Sequence, residues 1–278
     1  MFSAAGSFAP HTITPGPVLE LVTARTTAAG ATFTAATFNS GNLAVIRNAD
    51  ESRPVGILQV WSDHQAAGTF RIRSPRMHDN VQGIRFDAVA GDLKPLLPWG
   101  VAQSVYPQDQ LTVEILGSAT AGDIETVGML VYYDEMVNTG SNVKTWDEIR
   151  NRVRNLVPVE NTLALGTGGD YSGEEAISVE FDLLKADTEY ALLGYTVDTE
   201  CAAVRWRGSD TGNYGVGGPG EPDIKDITKD WFIILATTFG LPLIPVFNSS
   251  NKGGILVDGV QDENGADPTV TSIFAELV

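Results

Sequence analysis

The chain has 278 residues, 43% of them hydrophobic and 19% charged, a composition that predicts a packed core and excludes global disorder. Its single cysteine excludes an intrachain disulfide, so the fold depends on its core and its partners. The net charge of −17 repels a phosphate backbone and disfavours broad nucleic-acid binding.

The first predicted element is an N-terminal arm, residues 1–18. Three prolines prevent a regular helix throughout this arm: Pro10, Pro15 and Pro17. His11 is its only ionisable side chain, and no basic residue precedes Arg25, so the segment does not resemble a secretory signal. We interpret this segment as an arm that reaches a neighbouring subunit or the inner face of a shell.

Two later stretches each carry a pair of arginines spaced two residues apart. In "GTFRIRS" (68–74), apolar residues alternate with Arg71 and Arg73. In "AVRWRG" (203–208), they alternate with Arg205 and Arg207. Period-two alternation with aromatic and β-branched residues predicts half-buried β-strands whose arginines share one face.

The two arginine strands belong to a longer internal repeat. Leu58–Ser74 aligns without gaps on Leu192–Gly208, and Leu111–Asp134 aligns on Ile255–Val278 in the same order. The alignment matches these pairs: Trp61 with Tyr195, Arg71 with Arg205, Arg73 with Arg207, Glu114 with Asp258, and Asp123 with Asp267. We interpret the two collinear matches as a duplication and expect the paired residues to occupy equivalent positions.

Strand signals recur about every ten residues, separated by glycine, asparagine, aspartate and proline, which is typical of a sandwich or jelly roll. With the repeat, this spacing predicts an all-β fold of two tandem jelly-roll β-sandwiches joined by a short helix. We place the first roll at 19–137 and the second at 159–278.

The predicted helical connector spans residues 138–158. In "TWDEIRNRVRNLVP", Thr145 and Glu148 form a capping box, and apolar residues from Trp146 to Leu156 recur at three- and four-residue steps. Pro158 is expected to end this helix.

A charge-free apolar region covers Trp231–Phe247. Gly240, Pro242 and Pro245 interrupt it, so buried core is a better interpretation than a membrane span. The preceding "DITKDWFIILA" fits a short helix capped by Asp226 or Thr228 and a buried strand about equally well.

The most glycine-dense stretch follows the second arginine strand, at 208–223. It lacks a Gly-Lys-Ser/Thr sequence, contains Pro219 and Pro222, and lies among acidic residues, so it does not fit a phosphate-binding loop. We expect a long surface loop there, matched by an irregular insertion at 74–92 in the first half.

The sequence contains no convincing catalytic or metal-binding set. His11, His64 and His78 are isolated, and Cys201 lies in a strand pattern that predicts a buried, inert thiol. The loop "QDENGAD" (261–267) has oxygen ligands around a glycine, which makes Asp262 and Asp267 a calcium candidate in a half with 6 basic and 20 acidic residues. It lacks the twelve-residue spacing and the terminal glutamate of a calcium loop, so a hairpin tip is the preferred interpretation. We expect no enzyme activity and no cofactor other than that calcium.

The repeat, the length and the strand spacing together resemble the double jelly-roll major capsid proteins of tailless icosahedral viruses and phages, many of which enclose a membrane. The resemblance covers roughly residues 19–278 and includes no signature motif. It implies that the chain forms homotrimers with a pseudo-hexagonal outline, made in the host cytoplasm and assembled into the virion. Its implied partners are shell neighbours, minor capsid or penton proteins and an internal membrane, with no specific nucleic acid.

Two alternatives remain open from the residues alone. A tandem carbohydrate-binding or adhesin-type module would present an exposed aromatic patch or a calcium site, and a β-rich hydrolase would need paired carboxylates in a cleft. For the capsid reading, Arg71, Arg73, Arg205 and Arg207 are the predicted interface residues, placed at roll–roll contacts within or between subunits.

Overall fold

A computed structural model describes residues 16–27, 30–39, 55–77, 79–89, 97, 100–106, 108–120, 122–136, 141–166, 168–177, 183–262 and 266–278. Most of their regular structure is β, arranged in four antiparallel sheets, which confirms the predicted all-β fold class. Residues 1–15 of the predicted arm lie outside the described residues, and residues 16–18 begin the first strand rather than ending an arm.

The first half of the chain forms a two-sheet sandwich. Its strands are β1 (Gly16–Thr26), β2 (Thr34–Ala35), β3 (Thr37–Phe38), β4 (Val55–Asp63), β5 (Gly68–Arg73), β6 (Ile84–Ala88), β7 (Gln103–Val105), β8 (Thr112–Leu116) and β9 (Glu125–Met136). The front sheet has the order β3-β1-β9-β4-β7, and the back sheet has the order β2-β8-β5-β6. Phe70 and Val113 of the back sheet pack with Val22 and Met129 of the front sheet in a shared core.

The second half forms a similar sandwich with added helices. Its elements are β10 (Val143–Lys144), α1 (Trp146–Ile149), β11 (Val153–Thr162), β12 (Tyr171–Ala176), β13 (Glu189–Val197), β14 (Cys201–Arg207), β15 (Val216–Gly220), α2 (Lys225–Thr228), α3 (Trp231–Phe239), β16 (Ile244–Asn248), β17 (Leu256–Val260) and β18 (Thr269–Leu277), with 3-10 turns at Pro222–Ile224 and Ser249–Gly254. Its front sheet is β10-β16-β13-β18-β11 and its back sheet is β12-β17-β14-β15. The Trp206 indole of the back sheet donates to Ser272 Oγ of the front sheet at 2.9 Å.

The two halves repeat the same connectivity. Apart from β3 and β10, the front order β1-β9-β4-β7 corresponds to β11-β18-β13-β16, and the back order β2-β8-β5-β6 corresponds to β12-β17-β14-β15. Arg71 lies opposite Glu114 in the first half, and Arg205 lies opposite Asp258 in the second. The predicted equivalence of these two arginines is therefore confirmed.

The gapless alignment is wrong by one residue in the neighbouring strand. β4 contains a bulge at Leu58, and β13 contains one at Leu193. When the two bulges are aligned, Trp61 corresponds to Thr196 and not to Tyr195. The turn that leads to the arginine strand is one residue shorter in the second half. Because a one-residue slip moves a side chain to the other face, Trp61 points out of its sandwich while Tyr195 lies inside its own.

The predicted helical connector contains one short helix and the start of a strand. The capping box is present, with Thr145 N donating to Glu148 Oε2 at 2.8 Å and Glu148 N donating to Thr145 Oγ1 at 3.3 Å, but the helix ends at Ile149. Val153–Thr162 is instead the edge strand β11, paired with β18. An edge position accommodates Pro158, since its missing amide costs no ladder hydrogen bond, and it leaves Leu156 62% exposed.

The apolar region 231–247 is buried, and its first part is helical. α3 packs against β13 and β16, and Gly240 ends it with a positive φ of 65°. Neither Asp226 nor Thr228 caps it; its first residue follows Asp230. Across the described ranges, no helix has the length and apolar character needed to cross a bilayer.

Candidate assembly interface

The two sandwiches meet front to back. The outer side of the first front sheet (β1, β4 and β9) packs against the second back sheet, and β15 contacts both β1 and β9. Leu19, Leu21, Trp61, Leu130 and Tyr132 are buried there, in one cluster with core residues of the second half. We call this surface the internal contact.

Polar groups fix the register of the internal contact. Trp61 Nε1 donates to the carbonyl of Ala202 at 2.9 Å, and Leu21 N donates to the carbonyl of Gly215 at 2.7 Å. At one margin, the Arg25 guanidinium donates to both oxygens of Asp170 at 3.1 and 2.7 Å. Paired hydrogen bonds of this kind add directional preference to the apolar burial.

The glycine-dense stretch lies at this contact, so the surface-loop prediction is wrong for its second part. Residues 216–220 form the fully buried strand β15, which pairs with β14. A Cβ on Gly217 would lie 2.0 Å from the carbonyl oxygen of Val204 and 2.9 Å from Leu21 Cδ2. The glycines therefore allow the two halves to approach closely, and a strand this poor in side chains has no alternation that sequence reasoning would detect.

Arg205 belongs to a buried cluster beside the internal contact. Its guanidinium donates to both oxygens of Asp258 at 2.7 and 2.8 Å and lies 3.4 Å from the centre of the Tyr171 ring. Tyr171 in turn lies next to Thr23 of β1. Burial raises the pKa of Asp258, and the hydrogen bonds from Arg205 oppose that shift. We call Arg205, Asp258 and Tyr171 the second triad.

The first half has an equivalent set, which we call the first triad: Arg71, Glu114 and Phe33. Arg71 Nε donates to Glu114 at 2.5 Å, and the guanidinium carbon lies 4.1 Å from the centre of the Phe33 ring. Arg73 donates to the other oxygen of Glu114 at 2.7 Å, whereas Arg207 pairs with Glu174. The cation–aromatic contact and the ion pair hold the guanidinium in a fixed position in both halves.

The two triads differ in exposure. The side chains of Arg205 and Asp258 are 10% and 4% exposed, against 16% and 14% for Arg71 and Glu114. A cleft of about 300 Å³ lies over the second triad, lined on its far side by Glu20 and Leu21 of the first half. The second triad therefore lies at a contact between sandwiches; the placement of the four arginines between assembled subunits stays a prediction.

The remaining candidate residues do not converge on a site. Cys201 is fully buried, as predicted, and burial raises its pKa. His64 is also buried, and burial lowers its pKa to about 4. Asp267 accepts from Leu165 N at 2.9 Å and lies, like Asp123, in the loop before its last strand rather than on a strand. His11 and His78 lie outside the described residues.

Acidic groups from both halves gather at one end of the internal contact. Burial raises the pKa of Asp63 to about 8, assisted by the charges of Asp262, Glu200, Glu221 and Glu125. Among the described residues, no three metal-ligating side chains come together, so the calcium candidate gains no ligand set from them. The sequence could not reveal this gathering, because the residues are far apart along the chain.

Comparison with known proteins gives no family. No family model matches the chain, and no curated protein matches it. Among solved structures, it is similar to the crystal structure of PBSX exported protein XepA at 10% sequence identity, over 93% of this chain and 86% of that chain. The TM-score of 0.26 is too low to establish a common fold, and no functional argument rests on it.

Proposed function

We propose that this protein is a structural capsid protein whose copies assemble as pseudo-hexagonal trimers into an icosahedral virion shell. The observation that carries the proposal is the direction of the internal contact. The front of the first sandwich covers the back of the second. The back sheet of the first half and the β11–β18 side of the second front sheet therefore stay available for neighbouring copies, whereas α3 packs against β13 and β16.

The strand order supports this proposal. A jelly roll is a double sheet of eight strands built from two Greek keys, and it is a recurrent architecture of viral capsids. Within the described residues, each half has two four-stranded sheets with the same strand order, and β3 and β10 are extra strands at the edges of the two front sheets. Because each chain would contain two such rolls, a trimer would contain six similar rolls arranged as in a hexamer.

Head-to-tail contacts support assembly in particular. When one surface binds a different surface of the next unit, repetition gives a ring if the rotation closes. The internal contact is of this type, since it joins a front sheet to a back sheet. A ring of three chains would use the same type of contact six times, three times within chains and three times between them. The proposed role is geometric and assigns no catalytic group.

The mass of the purified protein in solution tests the proposed function. We expect native mass spectrometry to give three times the chain mass of 29.7 kDa, and electron microscopy to reveal closed shells at high concentration. A protein that stays monomeric at every concentration would contradict the proposal. A monomer that binds sugars would favour the adhesin-type alternative.

A further inference from the structure

We propose that the back sheet of the first half is the docking surface for the front sheet of the second half of a neighbouring copy. The proposal rests on the assembly function proposed above and adds the two surfaces that meet. It follows from the repeat. The chain already uses the front of one sandwich to cover the back of the other, and the first back sheet and the β11–β18 side of the second front sheet remain on the same chain as a complementary pair.

The docking surface is the outer side of the sheet that carries the first triad. Arg71 is held there by Glu114 and by Phe33, as Arg205 is held by Asp258 and Tyr171 at the internal contact. Exposed Arg85 adds a second guanidinium, 5.6 Å from the centre of the Phe33 ring. On this face Arg71, Arg73 and Arg85 outnumber Glu114 and Asp87, so its charge favours an acidic partner.

The occupant is the outer side of β11 and β18. Aligning the repeated ladders matches the buried residues of the internal contact with outward-facing residues of the second half: Leu19 with Leu156, Leu21 with Pro158, Thr23 with Glu160, and Leu130 with Ile273. Leu156 is 62% exposed, Pro158 and Glu160 are exposed, and Ile273 is half-buried. Ala275, the counterpart of Tyr132, is buried within the chain and marks the limit of this surface. The equivalent positions in the first half are covered by the second sandwich.

The internal contact predicts which residues meet between copies. At the internal contact, Leu21 approaches Gly217. Gly217 pairs with Arg205, and Arg85 pairs in the same way with Arg71. Arg85 is therefore the first-half equivalent of Gly217. Pro158 of one copy is therefore expected to approach Arg85 of the next. Thr23 lies next to Tyr171 at the internal contact. Because Glu160 is the equivalent of Thr23 and Phe33 the equivalent of Tyr171, Glu160 of one copy is expected to lie near Phe33 of the next.

Charge favours this pairing. Glu160 lies two residues from Pro158 on the same face of β11, so it is placed beside Arg85 and Arg71 of the other copy. Counted at the break between β9 and β10, residues 1–142 carry 8 basic and 13 acidic residues and residues 143–278 carry 10 and 22, so the second half is the more acidic. We therefore expect the contact between copies to be polar and sensitive to salt, whereas the internal contact is mainly apolar.

A charge exchange tests the pairing in the full-length protein. We expect Glu160→Arg alone and Arg85→Glu alone to weaken association by about tenfold or more, because each places like charges together. The double variant Glu160→Arg with Arg85→Glu should recover association, since the opposite charges meet again in reversed order. Sedimentation velocity over a concentration series measures the effect, and circular dichroism verifies the fold.

The matched control is Asp147→Arg, a charge reversal on α1, off both surfaces, at a side chain that is 79% exposed. It should associate like the unmodified protein. Single variants that associate normally, or a double variant that does not recover, would overturn the pairing while leaving the trimer in place. An unmodified protein that is monomeric would overturn the proposed function as well.

Discussion

The two triads show one arrangement at two degrees of burial. Both place an arginine on the same strand, a carboxylate opposite it and an aromatic ring over the guanidinium. Only the second triad lies beside a neighbouring sandwich, across a cleft lined by Glu20 and Leu21. By our proposal, the repeat preserved a docking surface, which the chain fills once internally and once with another copy.

The strongest way to separate the triads is to remove each arginine in turn. Arg205→Met leaves Asp258 buried without its partner and should lower the free energy of unfolding by about 3–5 kcal/mol. Arg71→Met leaves Glu114 paired with Arg73 and should cost less, about 1–2 kcal/mol in the dissociated chain. Urea denaturation of both variants measures this contrast; equal losses would contradict the difference in burial between the two triads.

A smaller effect is expected from filling the close approach at β15. Gly217→Ala places a Cβ against the Val204 carbonyl and Leu21 and should destabilise the chain by about 1–3 kcal/mol. Gly253→Ala is the control, because a Cβ there has no neighbour within 4 Å among the described atoms. Similar denaturation midpoints for the two variants would show that the halves do not need this glycine to pack.

The acidic end of the internal contact predicts a pH dependence. Asp63 has a folded pKa of about 8, above its unfolded value of 3.8, so the folded protein binds more protons between these values. Stability from this group is therefore present below about pH 4 and falls as pH rises towards 8, with a slope of up to about 1.4 kcal/mol per pH unit. Asp63→Asn should flatten that slope, measured by urea denaturation from pH 4 to 8.

Asp226→Asn is the control for this pH series, since its side chain is 91% exposed. It should follow the unmodified protein. A slope that Asp63→Asn leaves unchanged would mean that Asp63 is ionised in the folded chain, and that the gathering of acidic groups does not loosen the contact between the halves.

Sequence reasoning reached the fold class and the arginine equivalence, because alternation around Arg71 and Arg205 survives in a gapless comparison. It missed the match of Trp61 with Thr196, because a gapless alignment cannot show that the turn before the arginine strand is one residue shorter in the second half. It assigned Val153–Pro158 to a helix, because that apolar spacing fits both a helix and an edge strand. It took Val216–Gly220 for a loop and 74–92 for an irregular insertion, which was wrong at β6 (Ile84–Ala88) as well. The strand pattern "IRFDA" at the equivalent position was the available signal for β15.

Disulfide trapping between copies tests most directly whether the internal contact is repeated between chains. Cys201 is buried, so the variant Pro158→Cys with Arg85→Cys has its reactive thiols at the proposed contact. Mild oxidation of the assembled protein should give non-reducing gel bands up to three times 29.7 kDa, whereas either single variant should not form this ladder. An assembled double variant that stays a single-chain band would contradict the proposed contact.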